Sequence, residues 1–374
     1  MKKILFIVSE DWYFISHRLS LAKSAIDNGY EVTLLARISK HQDYLSALGI
    51  KTVNWPIVRR SLNPIKELKS IYCIISTVKK YKPDLIYAVA IKPVFYTILS
   101  KTFFKVNGVV LALAGLGFIF RSNKFSAKVV KIFIVSIFRV CLIGRNNIRL
   151  IVQNNDDREI ISRLRIISID KIRVIRGAGI NTNEYSPKRL INQVPLVILP
   201  GRMLWDKGVG DFVNCAKRCF YEKIQVRFAL IGEPDQHNPE SVSKTQLVEW
   251  ENLKVIEYWG RQENMLKVYN NADIVCFPSY HEGLPRALLE AASCEVPIVA
   301  YDVSGSREVV KDNENGFLIP FKDENALFLA VVRLIDDSQL RSKMGQKGRE
   351  IIIENFTEEK INSETFDVWN EVVQ

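Results

Sequence analysis

The sequence predicts an α/β protein made of two doubly wound parallel-sheet domains, and three observations carry that prediction. Short apolar runs alternate with amphipathic stretches along the chain, the rhythm of βαβ units on a parallel sheet. A length of 374 residues suits two domains of roughly 180 residues, each large enough for its own core. The hydrophobic fraction of 48% and charged fraction of 25% are those of an ordinary globular chain.

The elements follow in order. The opening MKKILFIVSEDWYF carries two lysines and an apolar run, like a signal peptide. That run stops at Ser9, Glu10 and Asp11, so 4–8 reads as the first strand. Residues 17–28 read as a helix ended by Gly29 and 31–35 as the next strand. Further strands are expected over 83–89, 109–114 and 150–153, with a helix over 94–100. The polar segment 192–195 precedes the apolar run 196–199, which places the first domain at 1–190 and the second at 191–355. The end of the chain, 356–374, is expected to be a helix.

The stretch 278–320, PSYHEGLPRALLEAASCEVPIVAYDVSGSREVVKDNENGFLIP, is the most informative. A buried strand over 272–278 leads into a turn, and Pro285 suits the first helical position, where a missing N–H costs little. A helix over 286–294 and a strand over 296–300 follow. Glu282 then sits in the loop after a strand, and Glu290 on the helix beyond it. Ligands of open α/β sheets bind outside the strand C-termini, with phosphate at a helix N-terminus. Two glutamates at this spacing carry little by themselves, since the chain holds 41 acidic residues.

The surrounding strings decide the matter. PSYHEGLPRALLEAASCEVPIVA, SGSREVV, NENGFLIP and, upstream, LPGRMLWDKGV (199–209) with VRFALIGEPD and KVIEYWGRQENMLKVYNNADI resemble the donor-binding half of glycosyltransferase family 4. Members are retaining enzymes of GT-B architecture, with two Rossmann-like domains facing across a cleft. The resemblance implies that Arg202 and Lys207 bind the donor diphosphate. A planar fork and a point cation suit phosphate oxygens. It implies that Glu290 accepts from the ribose, and that Glu282 contacts the transferred sugar with the amides of Gly283 and Leu284 near the phosphates. Gly260 and Arg261, in YWGR (258–261), would lie near the base, or else Trp259 is buried at an ordinary strand end. The final helix would cross back onto the first domain. Two positions depart from the family pattern: Glu295 stands where glycine is usual, and Asn181 where aspartate is usual.

Charge is divided unevenly. Residues 1–190 hold 32 Lys+Arg against 12 Asp+Glu, a net of +20; the remaining 20 and 29 give −9, which together recover the overall +11. Residues 51–150 carry 18 basic and 2 acidic groups. No nucleic-acid-binding motif accompanies this basic half, so nucleic acid is not expected as a partner. An anionic membrane face is the other partner for such a surface. Neither 109–120 nor 132–143 reaches the roughly 20 apolar residues that span a bilayer. The second, flanked or interrupted by Lys124, Lys128, Lys131, Arg139 and Arg145, is either an interfacial helix or a core helix.

FISHRLS (14–20), RRSLNP (59–64), AGLGFIF (114–120), RGAGI (176–180) and RMLWDKGV (202–209) resemble a bacterial subgroup that extends undecaprenyl-diphosphate-linked glycans. Its members are typically α-1,3-N-acetylhexosaminyltransferases of O-antigen, capsule or protein-glycosylation pathways. That resemblance implies a UDP-linked donor, a lipid-diphosphate-linked acceptor and a cytoplasmic, peripheral place at the inner membrane face. Acceptor-side candidates are His17 and Arg18, in the loop expected after strand one, with Gly115 and Gly117; these glycines allow close backbone approach or simply a tight turn. His17 is alternatively a plain helix-start histidine. No D-x-D pair occurs and no cysteine–histidine cluster, so no metal or other cofactor is expected. The six cysteines include no C-x-x-C pair and read as reduced thiols. A GT-B-type sugar-nucleotide epimerase and a non-catalytic sugar-nucleotide-binding scaffold are the rival functions.

Overall fold

The computed structural model describes residues 1–58, 63–115, 125–142, 146–188, 192–235 and 238–373. The chain forms two compact units, Met1–Ala178 with Glu358–Gln374, and Gly179–Thr357.

Unit 1 contains β1 (Lys3–Glu10), α1 (Asp11–Asp27), β2 (Glu31–Arg37), α2 (Gln42–Ala47), β3 (Lys51–Asn54), α3 (Pro64–Tyr81), β4 (Leu85–Val89), α4 (Ile91–Ser100), β5 (Gly108–Ala112), α5 (Phe125–Leu142), β6 (Ile148–Val152), α6 (Asn155–Arg163) and β7 (Ile172–Val174). Among the described residues its sheet has seven strands in the order β3-β2-β1-β4-β5-β6-β7, all parallel. Strands buried on both faces explain their continuous apolar runs. Leu5 and Ile7 face the core under α3, α4 and α5; Ile4, Phe6 and Val8 face the other core.

Unit 2 contains β8 (Leu196–Pro200), α7 (Val209–Tyr221), β9 (Arg227–Ile231), α8 (Lys244–Asn252), β10 (Glu257–Gly260), α9 (Met265–Asn271), β11 (Ile274–Phe277), α10 (Arg286–Ser293), β12 (Ile298–Tyr301), α11 (Ser304–Val309), β13 (Gly316–Ile319), α12 (Glu324–Asp336) and α13 (Ser338–Asn355). Its six described strands run parallel in the order β10-β9-β8-β11-β12-β13. The helix α14 (Glu358–Val373) belongs to unit 1.

The division falls at Ala178/Gly179 rather than at 190. Gly177 and Gly179 both adopt positive φ, 77° and 73°, so the chain turns there, and 180–188 already packs with unit 2. Asn181 accepts from the amides of Asn183 and Glu184, each at 3.1 Å, a turn that an aspartate would make equally well. Trp369 docks α14: its indole is fully buried among Phe6, Tyr30, Tyr87 and Phe366 at centroid distances of 4.8–6.0 Å. Glu371 adds a fork of bonds to Arg149 (2.6 Å) and Arg173 (2.7 and 2.9 Å).

Of the two readings of 132–143, the core helix holds for one face of α5. Ile134, Val135, Phe138 and Leu142 are core residues, while Ile132 and Val140 face solvent. Lys124 and Arg145 lie outside the described residues. Among the described residues, no helix is long and apolar enough to cross a membrane.

Candidate active site

In unit 2 the chain leaves β8 toward β9 and β10, then returns to place β11 on the other side of β8. The loops after β8 and β11 therefore diverge at a topological switch point, where open α/β sheets bind ligands. Lys207 ends a 3₁₀ turn on the first loop, and Glu282 lies on the second. The Lys207 ammonium donates to Glu282 Oε1 at 2.6 Å, and the Ser279 hydroxyl donates to the same oxygen at 2.7 Å. Both charged groups are largely sheltered, with side chains 18% and 13% exposed.

Glycines make this convergence possible. Gly208 adopts φ 71°, and a Cβ there would stand 2.0 Å from the Pro278 carbonyl oxygen. On Gly305 of α11 a Cβ would reach Glu282 Cβ at 2.6 Å. Gly208 and Gly305 thus let the two loops pack closely.

Arg202, on the β8 loop, is exposed and pairs with Asp235 on the β9 loop at 3.2 Å. Both border a crevice of about 460 Å³ that also includes Gly232, Arg261, Gln262 and Met265. Gly260 closes β10 at φ 62°, and Arg261 is exposed beside it. Trp259 is half-buried, with its indole N–H engaged by Glu257 at 2.9 Å.

Glu290 is buried within α10. It accepts from the Tyr269 hydroxyl at 3.0 Å and from Arg286 Nε at 2.8 Å, four residues earlier on the helix. Burial and the Glu290 charge push the Tyr269 and Tyr185 hydroxyls well above the usual tyrosine range. The helix starts at Arg286, the first residue of the expected 286–294, and Pro285 is its extended N-cap rather than its first helical residue. Gly283 and Leu284 are half-buried just before it. Pro285 supplies no side-chain cap to this helix.

Behind the Glu282 loop lies a carboxylate that sequence reasoning missed. Asp211, buried in the first turn of α7, accepts from Tyr280 at 3.2 Å and Tyr301 at 2.7 Å. Burial and this charge push the Tyr280 hydroxyl up to about 12. Its signal was an aspartate set within the apolar stripe Val209, Phe212, Val213 and Ala216.

Unit 1 places its candidates differently from expectation. The helix α1 starts at Asp11, so His17, expected at the helix start or in the loop before it, lies in the second turn. Asp11 drives that early start. It accepts from the Trp12 amide at 2.8 Å and from Ser39, through the amide at 2.8 Å and the hydroxyl at 2.9 Å. The His17 ring stacks on Tyr13 at 4.4 Å and meets Ser16 Oγ at 2.6 Å. Arg18 is buried, donates to the His17 carbonyl at 2.7 Å, and keeps its Nε unbonded. It does not present its charge on the surface, as an acceptor contact from a loop would. Gly115 has φ 89°; Gly117 lies outside the described residues. Sequence reasoning also missed Ala90, which opens α4 at φ 80°. A side chain at positive φ costs about 1–3 kcal/mol, and this one lies beside β1, at the switch point of unit 1.

The comparisons agree with this geometry. The family described as Glycosyl transferases group 1 matches residues 181–351, and that described as Glycosyl transferase 4-like matches residues 3–155. An α-1,3-N-acetylgalactosaminyltransferase of Campylobacter jejuni, acting on N,N'-diacetylbacillosaminyl-diphospho-undecaprenol, is 27% identical over 89% of this chain and 91% of its own. A UDP-Gal:α-D-GlcNAc-diphosphoundecaprenol α-1,3-galactosyltransferase of Escherichia coli is 26% identical over 84% of this chain and 82% of its own. Among solved structures, sucrose-phosphate synthase from Thermosynechococcus elongatus superposes with a TM-score of 0.82 at 19% identity, covering 99% of each chain. Anabaena HepE in complex with UDP-glucose gives 0.77 at 18%, covering 99% of this chain and all of its own. Two parallel-sheet units, the strings at the switch point and both family matches lead to one conclusion: this chain is a glycosyltransferase of GT-B fold, belonging to the group 1, family 4 enzymes.

Proposed function

We propose that the enzyme moves an N-acetylhexosamine from a UDP-sugar, with retention and in α-1,3 linkage, to a lipid-diphosphate-linked glycan of bacterial surface polysaccharide or glycan assembly. The reaction takes place at the cytoplasmic face of the inner membrane. The observation that carries the donor site is the Lys207–Glu282 contact, 2.6 Å long at the switch point of unit 2. The two relatives above support the donor and acceptor classes by their names.

In this reading the donor diphosphate draws the Lys207 ammonium from Glu282 and the Arg202 guanidinium from Asp235. Both carboxylates are thereby released, and Glu282 turns to the hydroxyls of the sugar. Glu290, oriented by Arg286 and Tyr269, takes the ribose hydroxyls, while Gly260 and Arg261 border the base. The bond from the anomeric carbon to the diphosphate oxygen breaks. The acceptor oxygen bonds to that carbon on the same face, and its proton passes to the departing phosphate. Lys207, Arg202 and the amides before α10 stabilise the charge developing on that phosphate. The two cations take the role of a metal, so transfer is expected to persist in excess EDTA.

A donor screen against lipid-diphosphate-linked acceptors, followed by linkage analysis of the product, tests the reading. Transfer of N-acetylhexosamine in α-1,3 linkage supports it. Conversion of a sugar nucleotide to its epimer without any acceptor would establish the epimerase instead.

A further inference from the structure

The helix α3 has two apolar faces. Ser70, Ile74, Thr77 and Val78 are buried against unit 1. Ile65, Leu68 and Tyr72, spaced i, i+3, i+7, form a second stripe on the opposite side of the helix at 100° per residue. They are 66%, 65% and 71% exposed. A helix that merely covers a sheet has one apolar face, so this stripe is unexplained by the fold.

Its surroundings are cationic. Lys69, Lys79 and Lys80 are exposed beside or on the stripe. The only carboxylates between 51 and 150 are Glu67 and Asp84, and both point elsewhere. Glu67 accepts from Lys92 at 3.1 Å, and Asp84 accepts from the Lys3 amide at 2.8 Å. The layer continues sideways, since α4 packs between α3 and α5. On α5, Ile132 and Val140 are exposed beside Arg139.

We propose that the outer stripe of α3 is a docking surface for an anionic lipid bilayer, with Ile65, Leu68 and Tyr72 entering the headgroup region and the lysines meeting lipid phosphates. Apolar insertion combined with surface lysines gives binding that depends on both lipid charge and salt. A protein partner of the same charge preference would need an acidic surface, whereas the continuous, carboxylate-poor basic window suits an extended anionic sheet. The proposal rests on the lipid-linked acceptor of the preceding section for its purpose, but not for its test.

The test is co-sedimentation of the whole enzyme with vesicles of phosphatidylglycerol and phosphatidylcholine in equal parts, and of phosphatidylcholine alone. The wild type is expected to bind only the anionic vesicles and to lose binding in high salt. The pair Leu68→Ser with Tyr72→Ser, and separately Lys69→Glu with Lys80→Glu, are each expected to lower the partition coefficient about tenfold or more. Amide exchange in the wild type reads the same surface without any variant: 64–81 should gain protection on the anionic vesicles. Wild-type-like sedimentation by both variants would overturn the proposal, as would unchanged exchange in α3. So would a wild-type dimer that Tyr72→Ser dissociates, since the stripe would then serve a second copy. Both variants should transfer sugar to a water-soluble acceptor within about twofold of wild type. Failure of the wild type itself in that assay would count against the proposed reaction and leave the docking surface standing.

Discussion

Lys207 and Arg202 of unit 2 each face a carboxylate, whereas Arg18 of unit 1 is buried and, among the described residues, pairs with none. The two units thus handle positive charge in opposite ways. In unit 2 the cations are held by acids, which in the proposed reading an incoming diphosphate replaces, and residues 179–357 carry a net −4. In unit 1 cations are in excess, with a net +15 over residues 1–178 and 358–374. On the proposed reading, the difference means that the donor site is preformed with its cations paired, while the basic unit is left to attract anionic surfaces.

The largest expected effect separates the units by stability. Removing a large buried aromatic costs about 3–5 kcal/mol, and Trp369 is fully buried among four aromatic rings of unit 1. Trp369→Ala is expected to lower the denaturant midpoint of unit 1 while unit 2 still binds UDP by calorimetry. Equal loss from both units would end the comparison, because it would make α14 a support of the donor site too.

Next comes a pH effect confined to unit 1. Burial pushes the Asp11 carboxyl up, but the Ser39 amide and hydroxyl, the His41 ring and the Trp12 amide outweigh it and hold it well below the usual carboxylate range. A carboxylate depressed in the folded state contributes stability above its unfolded value of about 4, and this is lost as pH falls through the folded value. Asp11→Asn should destabilise unit 1 at neutral pH by about 1–3 kcal/mol. It should also flatten the acid limb of its stability curve, and an unchanged limb would remove Asp11 from the account.

The smallest effect sharpens a departure from the family pattern. Glu295 adopts φ 60°, the conformation that glycine enters freely and other residues enter at a cost of about 1–2 kcal/mol. Because glycine also raises the entropy of the unfolded chain, Glu295→Gly is expected to stabilise unit 2 by up to about 1 kcal/mol. Thermal unfolding checks it, and a lower melting temperature would contradict it.

These particulars show which parts were legible in the sequence. Apolar runs such as 4–8 and 274–277 announce strands because both sheet faces are buried, and Glu282, Lys207 and Arg202 sit in short strings with fixed spacing. Long-range hydrogen bonds were not legible. Nothing near Asp11 in the sequence reveals Ser39 and His41, which reach it from the β2 loop, so the start of α1 ahead of residue 17 was missed. Arg18 was missed for the same reason: its burial depends on what packs over it. The outer stripe of α3 was hidden because spacing alone does not say which of two apolar faces meets the core.

The central claim is that Lys207, held by Glu282 at the switch point of unit 2, carries the charge of the departing diphosphate. The most direct measurement is kcat of Lys207→Ala beside wild type, with a lipid-diphosphate-linked acceptor, in excess EDTA. The account predicts steady wild-type turnover and a fall of about 10²–10³ in the variant, with its melting curve preserved. Turnover by Lys207→Ala equal to that of the wild type would contradict it.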